Sequence, residues 1–125
     1  MSENQRQLSR KFPSSSRLLK HADFQVVYKE GRKHFLGNMM VFYRHRNDNG
    51  SPRVGFAVGK ILGGAVDRNR IRRRMRAAVQ RHLGQLTLPI DVIMHPRKAV
   101  LNLDFAQLES EVEQMFTAIQ KGRQR

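Results

Sequence analysis

Cysteine is absent from the 125-residue sequence, and acidic residues are scarce. The absence of cysteine excludes disulfides, thiolate zinc sites and cysteine nucleophiles, and it suits a reducing cytosol. No apolar run approaches the length of a membrane span, and the N-terminus lacks the apolar block of a signal peptide. We therefore predict a cytoplasmic protein with no membrane partner.

Positive charge dominates the composition, with 24 Lys and Arg against 10 Asp and Glu and a formal charge of +14. This excess is far beyond what solubility requires and indicates a polyanionic partner, of which nucleic acid is the first candidate. Residues 1–17 are polar and show no apolar period, so they are predicted to form a flexible basic arm. Residues 18–122 are predicted to form a single domain, followed by a tail at 123–125.

The first half of the domain shows one helical pattern and then strand patterns. In "LLKHADFQVVYKEG", Phe24 and Tyr28 lie one turn apart and Gly31 is a suitable C-cap, which predicts a short amphipathic helix. The segment from Phe35 to His45 is rich in β-favouring residues, and Gly37-Asn38 is a plausible turn that divides it into a short and a longer strand. The polar "RNDNGSP" is predicted to be a loop.

The second half adds two strands and two helices. The alternation in "RVGFAVGK" predicts a strand with one large face and one nearly bare face, which permits close approach by another element. Asp67 is the predicted N-cap of a helix. A strand over residues 90–95 and an amphipathic helix in "LDFAQLESEVEQMFTAIQKG" follow. The order α-β-β-β-α-β-α predicts an α+β or α/β layer fold with one mixed sheet.

The segment "DRNRIRRRMRAAVQRH" contains seven arginines and one acidic residue. Its apolar side is predicted to dock on the sheet and comprises Ile71, Met75, Ala78, Val79 and His82. Residues Asn69, Arg72, Arg73 and Arg76 project away from that side. Because guanidinium groups match phosphate oxygens in a bidentate geometry, this helix is predicted to bind a polyanion rather than to be only a solvated basic face.

Aromatic residues supply a second candidate site. Phe24, Tyr28 and Phe42 are placed to line a groove for unpaired RNA bases, with ordinary core packing as the alternative. The five histidines show no zinc-site spacing, and the acids form no two-metal cluster. We therefore assign no catalytic and no metal-binding residue to this chain.

The run "RVGFAVGKILGGAVDRNRIRRRMRAAVQRH" resembles the signature of the bacterial ribonuclease P protein subunit. In that family a strand of the form R-V/I-G-x-x-V leads through a turn into R-N-R-I-[KR]-R, which here spans 68–73. The segments "ADFQVVYKEG", "MMVFY" and "IDVIMHPRKAV" are similar to the family's first helix, central strand and last strand. The resemblance implies an α/β sandwich with a four-stranded mixed sheet and a left-handed β-α-β crossover, contrary to the usual rule.

The resemblance also implies a function. Members of the family are protein cofactors of an RNA enzyme that removes the 5′ leader of precursor tRNA, with Mg²⁺ and the catalytic groups held by the RNA subunit. The positions that match the family's contacts with the catalytic RNA are Lys60, Arg68, Asn69, Arg70, Arg72, Arg73 and Arg76. Phe24, Tyr28 and Phe42 match the cleft for the single-stranded leader.

Two departures from the family pattern affect these expectations. Phe42 stands where tyrosine is common, so stacking is kept and a hydroxyl hydrogen bond is lost. In the turn after Lys60, Ile61 and Gly64 stand where the family often has lysine and asparagine, which leaves Lys60 as the remaining cation.

Three other functions share some of these features. A non-catalytic structured-RNA-binding module, such as a ribosome-associated protein, would have the basic helix but need no leader cleft. A DNA-binding regulator would need a two-helix motif and dimer spacing, which are not visible. A membrane-active helix would need the apolar stripe that the sheet requires. We predict the protein subunit of ribonuclease P, an endoribonuclease whose partners are its RNA and precursor tRNA.

Overall fold

Three α-helices and four strands lie within residues 13–121, the part of the chain that this computed structural model describes. In chain order they are α1 (His21–Glu30), β1 (Arg32–Leu36), β2 (Met39–His45), β3 (Arg53–Phe56), α2 (Ala65–His82), β4 (Ile90–Pro96) and α3 (Phe105–Lys121). The predicted α-β-β-β-α-β-α order is therefore confirmed.

The four strands form one mixed sheet in the order β1-β2-β4-β3. β1 pairs with β2 and β2 pairs with β4 in antiparallel fashion, whereas β3 and β4 are parallel neighbours. Parallel neighbours need a crossover connection, and α2 provides it. The mixed α+β sheet is thus confirmed, and the left-handed sense of the crossover stays a prediction.

Both faces of the sheet are covered by helices, because β4 alternates between two cores. Ile90, Val92 and Met94 belong to the larger core, together with the buried sides of α2 and α3. Ile93 points to the other face and packs with Val27 of α1. The predicted apolar sides of the two long helices are confirmed, since their buried residues include Ile71, Met75, Ala78, Val79, Leu108, Val112, Met115, Phe116 and Ile119.

Two glycines allow α1 and the preceding segment to approach the sheet closely. A Cβ on Gly55 would lie 2.7 Å from Cζ of Phe24 and 2.8 Å from the carbonyl oxygen of Leu18. The bare face predicted for β3 is therefore the face on which α1 packs. Gly31 follows the last residue of α1, as predicted, and a Cβ there would lie 2.6 Å from the carbonyl oxygen of Tyr43.

Two element boundaries differ from the sequence prediction. α2 begins at Ala65 with Gly64 as its N-cap, so the prediction of Asp67 as N-cap is wrong. Asp67 lies instead in the first turn, where the positive end of the helix dipole stabilises its carboxylate. β1 begins at Arg32, before the predicted Phe35, because its pairing with β2 extends back to Tyr43.

The end of the predicted N-terminal arm also packs on the domain. Ser14–Ser16 form a short 3₁₀ turn in which Ser16 is buried. Arg17 forms a parallel bridge with Val54 of β3, and the Leu18 N–H donates to the Val54 carbonyl at 3.1 Å. The rest of the predicted arm and the predicted tail lie outside the described residues.

A buried carboxylate joins β4 to β3 and to the residue that follows β2. Asp91 is 2% exposed and accepts a hydrogen bond from Nη1 of Arg46 at 2.6 Å. It also accepts two from Arg53, from Nε at 2.9 Å and from Nη2 at 2.8 Å, and these bonds raise the pKa of Arg53. Nη1 of Arg53 also lies 3.5 Å from Oδ2 of Asp23 in α1, so the cluster connects α1 to the sheet.

We predict that Asp91→Ala lowers the free energy of unfolding by about 3–5 kcal/mol, because it removes the buried carboxylate that accepts hydrogen bonds from both Arg46 and Arg53 and leaves these groups only their more exposed partners Asp48 and Asp23. Urea denaturation measures the change. Asp104→Asn, which alters an exposed acid ahead of α3, is the control and should change the free energy by less than about 0.5 kcal/mol. Equal effects of the two substitutions would contradict the prediction.

Candidate nucleic-acid interface

Four of the predicted binding residues share one side of α2. Asn69, Arg72, Arg73 and Arg76 line a shallow depression that begins at Val66. Their spacing of three and four residues puts them on adjacent turns, opposite the buried Ile71 and Met75 side. We call these four residues the arginine face.

The arginine face contains cations that the described chain does not neutralise. Nη1 of Arg72 donates to Oδ1 of Asn69 at 3.0 Å, which fixes one guanidinium along the helix. Among residues 13–121, no carboxylate pairs with Arg73 or Arg76. By contrast, Arg81 at the end of α2 lies 3.6 Å from Glu109 of α3. The unpaired arginines are therefore available to an external anion.

The other predicted RNA contacts lie around this face rather than on it. Arg70 lines a second depression with Arg73, Arg74 and Phe105. Arg68 is partly buried, and its Nε has no hydrogen-bond partner within the described chain. Lys60 is exposed in the 3₁₀ turn Lys60–Leu62 that precedes α2. The predicted set thus extends from the turn before α2 to Arg76 and does not form a single flat surface.

The three predicted aromatic residues converge on the face of the sheet that α1 covers. The rings of Tyr28 and Phe42 have centroids 4.9 Å apart at an interplanar angle of 80°. Phe24 lies 6.4 Å from Tyr28 and packs over Gly55. Tyr28 is 40% exposed, so this cluster is open to solvent rather than sealed core. Edge-to-face packing fixes the rings relative to one another.

His95 is part of this cluster, although the sequence prediction assigned it no role. Its Nε2 lies 2.9 Å from the Tyr28 hydroxyl, and its ring centroid lies 5.3 Å from that of Phe42. Burial lowers the pKa of His95, so the ring is neutral at pH 7, and burial raises the pKa of Tyr28. We call Phe24, Tyr28, Phe42 and His95 the aromatic cleft.

Lys33 is a second residue that the sequence prediction missed. Its Nζ lies 5.2 Å from the centroid of Phe42 and 5.9 Å from that of Phe35, within cation–π range of both rings. Its alternation with Phe35 is visible in the sequence, but the prediction began the strand too late to include it. The position of His95 opposite Met40 depends on the pairing of β2 with β4 and has no local sequence signal.

A groove connects the arginine face with the aromatic cleft. It is lined by Arg72 and Arg76 of the arginine face, by Phe24 of the cleft and by Gly55 of β3. Arg17 and Leu19 line it from the segment before α1. The two surfaces are therefore neighbours across β3, one on α2 and the other between α1 and the sheet.

Comparisons with known proteins identify the family to which this architecture belongs. The family model described as Ribonuclease P matches residues 12–120. The chain belongs to the ribonuclease P protein family. A ribonuclease P protein component of Streptococcus pneumoniae is 36% identical over 96 residues, which cover 77% of each chain. Members of this family are protein components of an endoribonuclease that acts in tRNA 5′ processing, and catalysis lies with its RNA subunit.

Solved structures of the family have the same fold. The ribonuclease P protein of Staphylococcus aureus matches with a TM-score of 0.72 and 28% identity, over 85% of this chain and 96% of that protein. The Thermotoga maritima protein matches with a TM-score of 0.71 and 26% identity, over 80% and 94% of the two chains. The family match favours the ribonuclease P function over a plain structured-RNA binder.

Three carboxylates of this chain, those of Asp91, Glu109 and Glu111, are engaged in contacts within the fold. Glu111 accepts hydrogen bonds from the backbone N–H of Asn38 at 2.8 Å and from its Nδ2 at 2.9 Å. Glu109 is held by His82 at 3.2 Å, and Asp91 by two arginines. No group of three or more metal-ligating side chains occurs within residues 13–121. In the same range, no helix is long and apolar enough to span a bilayer.

The lowered pKa of His95 predicts a pH dependence of stability. The unfolded ring binds a proton near pH 6.5, whereas the folded ring binds it only at lower pH. The contribution of His95 to the free energy of unfolding is therefore fully present above about pH 6.5. It decreases as the pH falls below that value, by at most about 1.4 kcal/mol per pH unit. His95→Phe should remove this part of the dependence in urea denaturation at pH 7.5 and 5.5. Parallel profiles for the two proteins would contradict the assignment.

Proposed function

We propose that this chain is the protein subunit of a ribonuclease P holoenzyme that binds both the catalytic RNA and precursor tRNA. The arginine face binds the catalytic RNA, and the aromatic cleft binds the single-stranded 5′ leader. The observation that supports this division is the pair of neighbouring surfaces, one of unpaired arginines and one of open aromatic rings. The holoenzyme then removes the leader to give the mature 5′ end of tRNA in the bacterial cytoplasm.

The arginine face suits the phosphates of a folded RNA. Arg73 and Arg76 present planar donor groups that have no carboxylate partner within residues 13–121, so binding an RNA does not require breaking an ion pair. The helix is held from behind by its buried Ile71 and Met75, which positions the guanidinium groups before binding. Release of counterions from the RNA then supplies a salt-dependent part of the affinity.

The aromatic cleft suits an unpaired strand. Base stacking on aromatic rings tolerates any sequence, as a subunit that accepts many precursors requires. Tyr28, Phe42 and the neutral His95 offer rings whose mutual contacts keep them in place. A duplex could not use this surface, because its bases are already stacked on one another.

The chemistry of leader removal is assigned to the RNA. We propose that Mg²⁺ is held mainly by the RNA subunit, where it would supply activation of water and stabilisation of the leaving oxygen. The side chains of this protein position the substrate. The structural engagement of Asp91, Glu109 and Glu111 supports this division, because each carboxylate is already hydrogen-bonded within the fold.

We predict that Arg73→Ala weakens binding of the ribonuclease P RNA and reduces the slope of log affinity against log salt by about one unit, because one phosphate contact is lost. Arg81→Ala is a control matched in charge, since Arg81 is paired with Glu109 and lies over the Phe105 ring. Filter binding across a salt series measures both slopes. A slope unchanged by Arg73→Ala, or reduced equally by Arg81→Ala, would contradict the assignment.

The function itself is tested by cleavage of a 5′-labelled precursor tRNA at low Mg²⁺ with a bacterial ribonuclease P RNA. We expect this protein to stimulate cleavage by the RNA and to cleave nothing alone. Tyr28→Ala should reduce the stimulation for precursor tRNA without loss of affinity for the ribonuclease P RNA. Cleavage by the protein alone would overturn the assignment of catalysis, and absence of stimulation would overturn the proposed function.

A further inference from the structure

Lys33 and Phe35 of β1 form a small surface at the open edge of the sheet. Both side chains lie on the same face as Phe42, because Lys33 is paired with Phe42 and Phe35 with Met40. Phe35 is 60% exposed, an unusual position for a phenylalanine on a face that is elsewhere covered by α1. We propose that Lys33 and Phe35 form an additional nucleotide subsite that extends the aromatic cleft, a proposal that rests on the proposed leader binding.

The position of the Lys33 ammonium group between two rings supports this assignment. Its Nζ lies 5.2 Å from the centroid of Phe42 and 5.9 Å from that of Phe35. A single strand has one phosphate between two successive bases. Two rings with a cation between them therefore match a base, a phosphate and the next base.

Lys33 is free to take a phosphate as its counter-charge. No carboxylate within residues 13–121 pairs with it, whereas the nearby Arg44 is paired with Glu30 at 3.2 Å. Its contacts with the rings leave the ammonium N–H donors unused, because an aromatic face accepts only weakly. An approaching phosphodiester would draw the flexible lysine away from Phe42 and uncover that ring for a base.

A purely structural role explains Lys33 but not Phe35. Lysines on edge strands prevent unwanted pairing with other chains. An exposed phenylalanine on the same edge has the opposite effect, because it adds apolar surface to an unpaired strand. The exposed ring is better explained by a ligand with an aromatic face, and a base of an unpaired strand has one.

The test measures the affinity of the reconstituted holoenzyme for precursor tRNAs whose leaders are shortened one nucleotide at a time. Phe35→Ala and Lys33→Gln are compared with Tyr28→Ala in the cleft and with Val26→Ala. Val26 is an apolar residue of α1 that is 36% exposed and lies on the helix side away from Tyr28. Phe35→Trp keeps an aromatic face, and thermal unfolding checks that every variant is folded.

We expect Phe35→Ala to weaken binding of a precursor with a long leader by roughly fivefold or more, the effect of one lost stacking contact. Phe35→Trp and Val26→Ala should bind like the parent, and mature tRNA should bind equally to all variants. Lys33→Gln should reduce the salt slope by about 0.7 for one single-strand phosphate. As the leader shortens, the defect of Phe35→Ala should disappear at a different length from that of Tyr28→Ala.

Three results would overturn the subsite. If Phe35→Ala and Lys33→Gln bind every precursor like the parent while Tyr28→Ala is impaired, the subsite is wrong and leader binding in the aromatic cleft stands. If Tyr28→Ala also binds every precursor like the parent, both the subsite and the proposed leader binding in the aromatic cleft are wrong. A loss of affinity for mature tRNA equal to that for precursor would likewise reject a role in leader binding.

Discussion

The parallel pairing of β3 with β4 is the constraint on which the remaining architecture depends. Two parallel neighbours cannot be joined by a hairpin, so α2 must cross one face of the sheet between them. Burial of Ile71 and Met75 against that face fixes which side of α2 remains outside. Core packing therefore determines which residues of α2 form the arginine face. Only β3 lies between this face and the aromatic cleft. The proposed division of function between two neighbouring surfaces therefore depends on one crossover.

Internal neutralisation explains how a chain of formal charge +14 folds and still offers free cations. The scarce acids are placed where they stabilise the fold: Asp91 between two arginines, Glu111 on the Asn38 backbone and Glu109 beside the end of α2. On α2, Arg73 and Arg76 have no such partner within the described chain. Repulsion among these cations is a cost to the free protein, and a bound RNA relieves it.

The sequence predicted those features that depend on local periodicity. Spacing along a single element predicts the two sides of α2 and the close approach at Gly55. It also predicts that Phe24 and Tyr28 lie one turn apart on the same side of α1. Features that depend on strand order were not predictable in this way. His95 enters the cleft only because β2 is paired with β4, and β1 begins early only because its register with β2 reaches Tyr43. The start of α2 was misplaced because Asp67 suits both an N-cap and a first turn.

The central claim is that two different RNAs occupy two neighbouring surfaces, and directed hydroxyl-radical probing tests it most directly. Because the sequence has no cysteine, a single introduced cysteine provides a unique attachment point for an iron chelate. Ala77→Cys places the probe beside Arg73 and Arg74, and Met40→Cys places it beside the cleft, opposite His95. We expect the first probe to cut the ribonuclease P RNA and the second to cut the leader of precursor tRNA. Cuts by both probes in the same RNA, with none in the leader, would contradict the claim.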